Sequence, residues 1–258
     1  MSNPLTRRRF LIGGALGAGA LAAGGYAALG RGADVDAVLQ SAEWVTMDAQ
    51  RALLWRGSLA REFSEADISP TFRVNGTQAP DSAAYAALHR SGFADWKLKI
   101  GGLVDRSLEL SLADLRALPS RTQITRHDCV EGWSAIGKWT GVPLGHVLQM
   151  AGLKPNARFA VFHCADELER TFDGSGRYYE SIDLIDAFHP QTILAYAMND
   201  AALTVGHGAP LRLRVERQLG YKHAKYVMQI DVVDGFENLW GGRGGFWEDR
   251  GYQWYAGI

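Results

Sequence analysis

Two cysteines, seven histidines and a downstream run of basic side chains are the residues whose types and spacing could do chemistry. Cys129 sits in Arg126-His127-Asp128-Cys129-Val130-Glu131-Gly132-Trp133. A thiolate is a nucleophile and a soft metal ligand, and cationic neighbours such as Arg126 and His127 would favour its ionised form. Two cysteines fit neither a disulfide-dense scaffold nor a four-cysteine zinc site. Three uses of Cys129 stay open on residue types alone. It could pair with Cys164 in a disulfide, ligate a cofactor metal, or join His127 and His163 in a zinc hydrolase, although no helix-borne ligand pair accompanies the last.

The second chemical element is Leu211-Arg212-Leu213-Arg214-Val215. Alternation along a strand puts the two leucines and the valine on one face and Arg212 with Arg214 on the other. Lys222 and Lys225 follow within one loop. In isolation such a stretch reads as a solvated charged face. Four cations this close could equally grip a phosphate.

The elements that must position these groups are many and short. Ala33 to Gly57 reads as one or two helical pieces, and Ile68 to Gly76 as an extended stretch ending in a turn. Trp96 to Ile100 alternates as a half-buried strand does and is closed by Gly101-Gly102. Ser111-Leu-Ala-Asp114 has capping-box spacing and opens a short helix that Pro119 stops. Thr122 to Cys129 is a strand running into a loop, Val142 to Met150 a helix ending near Gly152, and Phe159 to Cys164 a strand. Ser181 to Phe188 reads as helical and Thr192 to Met198 as extended, with a turn at Asn199-Asp200. Leu211 to Val215 and Tyr226 to Val232 are strands. Short strands and interspersed helices without a regular βαβ rhythm indicate an α+β fold. The glycine- and aromatic-rich tail from Trp240 to Tyr255 either wraps the domain or reaches the mouth of a site.

The chain has 258 residues, 27 basic against 28 acidic. Arg7, Arg8, Arg9 and Arg31 fall in the first 31 residues, which hold no acid, so the remainder is distinctly acidic. An acidic body lacks the basic field a general nucleic-acid binder needs, and no nucleic-acid partner is expected. Thr6-Arg7-Arg8-Arg9-Phe10-Leu11 and the Gly/Ala-rich stretch Ile12 to Leu29 have the make-up of a twin-arginine signal, which places the protein in the periplasm or otherwise outside the cytoplasm. An uncleaved membrane anchor is the alternative, for which the many glycines are ill suited. Gly25-Tyr26-Ala27 is a weak cleavage candidate.

The segment Arg126 to Trp133, continued by Trp139-Thr-Gly-Val-Pro-Leu144, resembles the molybdenum-binding segment of the sulfite oxidase-like, molybdopterin-dependent oxidoreductases. It most resembles the branch of the periplasmic methionine sulfoxide reductase catalytic subunit. His207-Gly-Ala-Pro-Leu-Arg212 through Gly220-Tyr-Lys-His-Ala-Lys225 resembles the family's pterin-binding stretch, and Phe72-Arg-Val-Asn75 an upstream cofactor-contacting strand. The resemblance runs from about Ile68 to about Val233.

The resemblance implies a mixed α+β molybdopterin-binding domain and the molybdenum cofactor, with Cys129 as the protein's thiolate to the metal and the catalytic residue. It places Phe72, Arg73, Asn75, Cys164, His207, Arg212, His223 and Lys225 around the cofactor, with Cys164 a pocket residue. It implies residues 1–31 as signal, 32–66 as a helical lead-in, 67–235 as the oxidoreductase domain and 236–258 as a tail packed on it. The reaction implied is oxygen-atom transfer on a small substrate such as a sulfoxide or sulfite. With no haem-attachment Cys-x-x-Cys-His motif, electrons pass through a separate partner, a membrane haem protein in the nearest branch, with this chain a monomeric catalytic subunit. Val130-Glu131-Gly132-Trp133-Ser134 lacks the arginine pair that suits a dianion, and the chain ends soon after the cofactor domain, which disfavours sulfite. Glu131 and Trp133 either shape the substrate mouth or pack locally. The competing reading is a non-catalytic exported binding module of the same fold with a Cys129–Cys164 disulfide.

Overall fold

The computed structural model describes residues 35–53 and 57–258, and the signal-like segment lies outside the described residues. The chain divides into two units, at residues 54 and 55. The first contributes helix α1 (Val35–Leu53), with Arg51 in its last turn beside the exposed carbonyls. Among the described residues no helix is long and apolar enough to cross a membrane.

The second unit is built on two five-stranded sheets. Helix α2 (Ala83–Arg90) precedes the first strand, and its N-cap Ser82 accepts a hydrogen bond from the backbone of Tyr85. The first sheet runs in the order β2 (Leu108–Ser111), β1 (Lys97–Gly102), β10 (Val227–Val233), β5 (Phe159–Glu167), β6 (Arg177–Asp183). All neighbours are antiparallel except β1 and β10, which are parallel with Lys99 opposite Gln229. The second sheet runs β3 (Arg121–Asp128), β4 (Ser134–Pro143), β7 (Ile193–Met198), β8 (Ala201–Ala202), and β9 (Arg212–Arg214) also pairs with β7. The mixed α+β class expected from the pattern is what the chain forms.

Local chemistry explains the joints. Ser111 caps helix α3 (Leu112–Ala117): its hydroxyl accepts from the Asp114 amide at 3.1 Å while Asp114 accepts from the Ser111 amide at 2.9 Å. Asn199 and Asp200 both take positive φ, 49° and 63°, as a two-residue hairpin turn from β7 to β8 requires. Helix α4 (Leu144–Ala151) begins two residues later than the spacing suggests, because Val142 and Pro143 still pair with β7. Ser181 to Asp183 are strand rather than helix, held opposite Val161 to Phe159, and Asp183 then caps the short helix α5 (Leu184–Ala187). Edge pairing outweighs helical propensity there. The stretch from Ile68 to Gly76 is unpaired as a strand; it is tied to β4 by Ser69 N donating to Ile136 O at 3.0 Å.

The main core joins both sheets through residues such as Leu98, Ile100, Leu144, Leu148, Phe162, Leu213 and Val232, all essentially without exposure. A smaller cluster of Phe72, Ala135, Trp139, Ile193, Ala195, Met198, Leu203 and Ala209 lies beside the candidate site. Trp139 is fully buried at its centre, where truncation to alanine costs about 3–5 kcal/mol.

Candidate functional site

Strand β3 carries the chain to the site with a strict alternation: Gln123, Thr125 and His127 point inward and are buried. Asp128 ends the strand, and Cys129 to Trp133 form a tight loop in which Cys129 N donates to Trp133 O at 2.9 Å and Gly132 N to Cys129 O at 3.0 Å. Gly132, at φ 81°, permits that turn. Cys129 is half-buried and Cys164 buried, and both are free thiols, so neither forms the disulfide of the competing reading. Among the described residues no three His, Cys, Asp or Glu side chains converge to hold a metal, so His127, Cys129 and His163 do not make a zinc site.

The neighbours expected to ionise Cys129 do not do so. Arg126 points outward and pairs with Asp128 at 2.9 Å. His127 is held well below the usual histidine range, first by burial and then by Arg214, Arg212 and Lys225, and is therefore neutral. Burial pushes the Cys129 thiol up and the Glu131 carboxylate adds to this, while the backbone amides of Glu131 and Val130 and the charge on Arg73 oppose it. The thiol is therefore the form at neutral pH, and a metal ion at the sulfur would displace its proton.

Strand β9 answers the question of the four cations. Arg212 and Arg214 have no exposure at all, which rules out a solvated face. They do share a face: their guanidinium carbons lie 4.9 and 4.4 Å from the ring centroid of Trp139. Arg214 is consumed internally, by Glu216 through two bonds of 2.8 and 2.6 Å and by His127 Nδ1 at 3.0 Å. Lys222 is consumed too, at 2.5 Å from Glu180 and 2.6 Å from Glu248, in a buried triad. Only Arg212 and Lys225 remain for a ligand. Arg212 gives one bond to His207 O at 3.0 Å and leaves Nε and Nη2 buried without partners. Burial and the adjacent Arg214 lower its proton affinity to about 9, still charged at neutrality. Lys225 donates to the carbonyls of Thr77 and Gly206 at 2.6 and 3.0 Å, and burial followed by Arg212 brings it down to about 7. Gly208, at φ 103°, lets the two cations lie side by side, since a Cβ there would meet the stems of both at 3.1 Å.

An open cleft of about 150 Å³ lies over this ground. Asn75, Cys129, His223 and Lys225 of the expected residues line it, together with Gly76, Val130, Glu131, Asp166, Leu168, Tyr178, Tyr221, Trp247 and Tyr252. The other expected residues sit around it. Phe72 is buried, with its ring 5.3 to 6.4 Å from those of Trp139, His127, His207 and Trp133. Arg73 stacks over Trp133 at 5.3 Å, and Trp133 donates to Glu131 at 3.0 Å. His207 spends both ring nitrogens, Nε2 donating to Phe72 O at 3.1 Å and Nδ1 accepting from Thr204 at 2.7 Å, and so staples the Phe72 stretch to the approach of β9. Cys164 faces the interior, two residues before Asp166 on the same face of β5.

Asp166, Leu168, Tyr178 and Tyr221 are cleft residues that sequence reasoning missed, while Trp247 and Tyr252 come from the tail for which a place at the mouth of a site is one of two readings. Asp166 was within reach of such reasoning, since a period of two from Cys164 leads there. Burial raises the Asp166 carboxyl above the usual range, its Oδ2 accepts from Thr77 at 2.8 Å, and its Oδ1 has no partner.

The orphaned atoms test what this ground is built to hold. Because Arg214 can only donate, His127 Nδ1 accepts and its Nε2 carries a hydrogen without a partner. His223 Nε2 donates to Gln218 O at 3.0 Å, which leaves Nδ1 a bare acceptor. Gly220 keeps the space over His127 open, for a Cβ there would lie 2.5 Å from Nε2. Unused donors on Arg212 and His127, unused acceptors on His223 and Asp166, and a lone thiol fit a ligand with an anionic group, a heterocycle bearing N–H donors, and a metal lacking one soft ligand. Molybdopterin with its metal has those parts.

Comparison with known proteins agrees. The family model described as the oxidoreductase molybdopterin binding domain matches residues 85–240. A protein of Azospira oryzae, provisionally named protein-methionine-sulfoxide reductase subunit YedZ1, is 37% identical over 199 residues, covering 77% of this chain and 68% of its own length. The protein-methionine-sulfoxide reductase catalytic subunits MsrP of Xanthomonas axonopodis pv. citri and Campylobacter jejuni are each 34% identical, over 56% and 54% of this chain. The chain spans about half the length of these two, 47% and 49%. The crystal structure of the sulfane dehydrogenase SoxCD from Paracoccus pantotrophus aligns with a TM-score of 0.48 at 25% identity, over 54% of this chain and 38% of that one. The chain belongs to the sulfite oxidase-like family of molybdopterin-binding oxidoreductases, in its methionine sulfoxide reductase branch, and its cofactor is molybdopterin.

Proposed function

We propose that this protein is an exported molybdenum enzyme that reduces a sulfoxide to a thioether, drawing electrons from a separate redox protein. The observation that carries the choice of substrate is the character of the cleft mouth. Val130, Leu168, Tyr221, Trp247 and Tyr252 are apolar or aromatic, Glu131 is acidic, and the one lining cation, Lys225, is bonded to two backbone carbonyls. Among the residues lining the cleft, a dianion such as sulfite would meet a carboxylate and one lysine already bonded to two carbonyls, with Arg73 stacked over Trp133; a neutral sulfoxide meets surfaces it can wet.

Within this reading Cys129 supplies the thiolate to the metal, Arg212 and Lys225 face the cofactor phosphate, and Asn75 and His223 hold its heterocycle. When bound, the cofactor supplies the two-electron chemistry. The chain's own contribution is to bind, orient and deliver protons. Sulfoxide reduction consumes two electrons and two protons and releases the oxygen as water. Asp166 is the group placed to carry a proton at the cleft, because burial raises its carboxyl above the usual range and its Oδ1 has no partner.

The names of the relatives, a subunit and two catalytic subunits, support electron supply by another protein. A membrane haem protein suits the role. Export rests on Arg7-Arg8-Arg9-Phe10-Leu11 and the Gly/Ala-rich stretch after it. The binding-module alternative has no observation in its favour, since Cys129 and Cys164 are free.

The test uses holoenzyme from a host that makes the cofactor, assayed with a reduced artificial electron donor on methionine sulfoxide, dimethyl sulfoxide and an N-oxide, and with an acceptor on sulfite. Sulfoxide reduction is expected to dominate. Faster turnover of sulfite than of any sulfoxide would overturn the reading. Replacement of Arg7 and Arg8 by lysine is expected to leave the protein in the cytoplasm.

A further inference from the structure

The family match stops at residue 240, yet two residues beyond it, Trp247 and Tyr252, line the cleft that contains Cys129. Their rings lie 5.2 Å apart and tilted by 33°, and Tyr252 meets Tyr221 edge-on at 5.3 Å. The three form a continuous aromatic wall, with Tyr252 41% exposed at the outer end.

This wall is fixed rather than draped. Glu248, next to Trp247 in sequence, is 1% exposed and sits 2.6 Å from Lys222, which also binds Glu180. Arg250 pairs with Glu169 and lies 3.6 Å from the ring centroid of Phe246, itself fully buried. Tyr221 donates from its hydroxyl to Gln253 O at 2.7 Å. A buried ion triad pins this segment, and the ring beside the pin lines the cleft.

We propose that Trp247 and Tyr252, backed by Tyr221, bind the S-methyl end of a sulfoxide substrate and set the enzyme's specificity, with Glu248 as a positioning residue. The inference rests on the sulfoxide reading above. The S–O dipole leaves the methyl group and sulfur electron-poor, which suits the electron-rich faces of aromatic rings, and the thioether product keeps a favourable sulfur–ring contact. A sulfoxide side chain carried on a polypeptide enters from the exposed Tyr252 end, past Val130, which is 44% exposed.

The experiment compares wild-type holoenzyme with Trp247→Ala, Tyr252→Ala and Trp247→Phe. Molybdenum content, equilibrium binding of N-acetylmethionine sulfoxide methylamide by calorimetry, and KM and kcat for its reduction are measured. Each alanine variant is expected to keep wild-type molybdenum, weaken binding about tenfold and raise KM in step, and Trp247→Phe to recover most of the loss. Unchanged binding and KM in both alanine variants would overturn the proposal. So would a loss of molybdenum in proportion to activity, which would make the rings scaffolding for the cofactor. A wild type that neither binds nor reduces sulfoxides removes the functional reading and this inference together; an active wild type matched by its alanine variants removes the wall alone.

Discussion

Glu248 and Lys222 form an ion pair of 2.6 Å with side-chain exposures of 1% and 0%, joining the C-terminal segment to the loop that carries His223 and Lys225. Burial opposes the charge on Lys222, but Glu180 and Glu248 together hold it above the usual lysine range. Lys222→Met would strand two carboxylates in the interior and is expected to cost about 3–5 kcal/mol, read from denaturant unfolding. Glu248→Gln leaves Lys222 paired with Glu180 and should cost about 1–2 kcal/mol.

Cys129→Ser replaces the one soft ligand at the site. Wild-type protein from a cofactor-making host should contain about one molybdenum per chain and the variant almost none, by elemental analysis. Retention of wild-type metal by the variant would remove Cys129 from the metal's coordination.

Lys225 makes anion binding depend on pH. In the cofactor-free protein it titrates at about 7, brought down by burial and Arg212, and a bound phosphate stabilises its charged form. Below pH 7 the charge is already present. Above pH 7 binding must take up a proton, so pyrophosphate affinity should fall with rising pH, approaching about tenfold per unit. Calorimetry in two buffers of different ionisation enthalpy reads the proton uptake, which Lys225→Met should abolish.

Gly220→Ala puts a methyl group 2.5 Å from His127 Nε2 and 3.1 Å from Asp128 O. The ring is walled in by Phe72, Trp133 and His223, so it has little room to yield. A loss of about 1–3 kcal/mol in thermal unfolding, together with reduced cofactor content, is expected.

Asp166 ionises above the usual carboxylate range because it is buried, so its protonated form persists as pH rises and is lost on crossing that raised value. The kcat/KM for sulfoxide should therefore decline on the alkaline side of that pH. In Asp166→Asn the limb should vanish and the rate drop about 100-fold. A wild-type rate in Asp166→Asn would assign the proton to another group.

The parts of this architecture that depend on near neighbours in the chain were legible in it. Ser111 with Asp114, the Asn199-Asp200 turn and the alternation of Arg212 and Arg214 are short-range rules, and each holds. The sorting of the cations was not legible. Which of Arg212, Arg214, Lys222 and Lys225 stays available depends on Glu216, Glu180 and Glu248, and the last two reach Lys222 only through the tertiary fold. The same holds for Cys129: Arg126 and His127 look cationic and adjacent, but strand geometry turns one to solvent beside Asp128 and buries the other as a neutral ring. Ser181 to Asp183 were misassigned for a related reason, since their pairing partner lies on β5.

The parallel pairing of β1 with β10 sets a timetable for assembly. Among the described residues strand β10 is the last of ten, and without it between β1 and β5 the first sheet has no middle. Contacts so distant along the chain form slowly, because a long loop must close before any stabilisation is gained. His223 and Lys225 lie just ahead of that strand, and Asn75 and Cys129 belong to the part of the chain made much earlier. The pocket is therefore complete only when β10 is in place, so a bulky cofactor is received by a chain whose first sheet is whole.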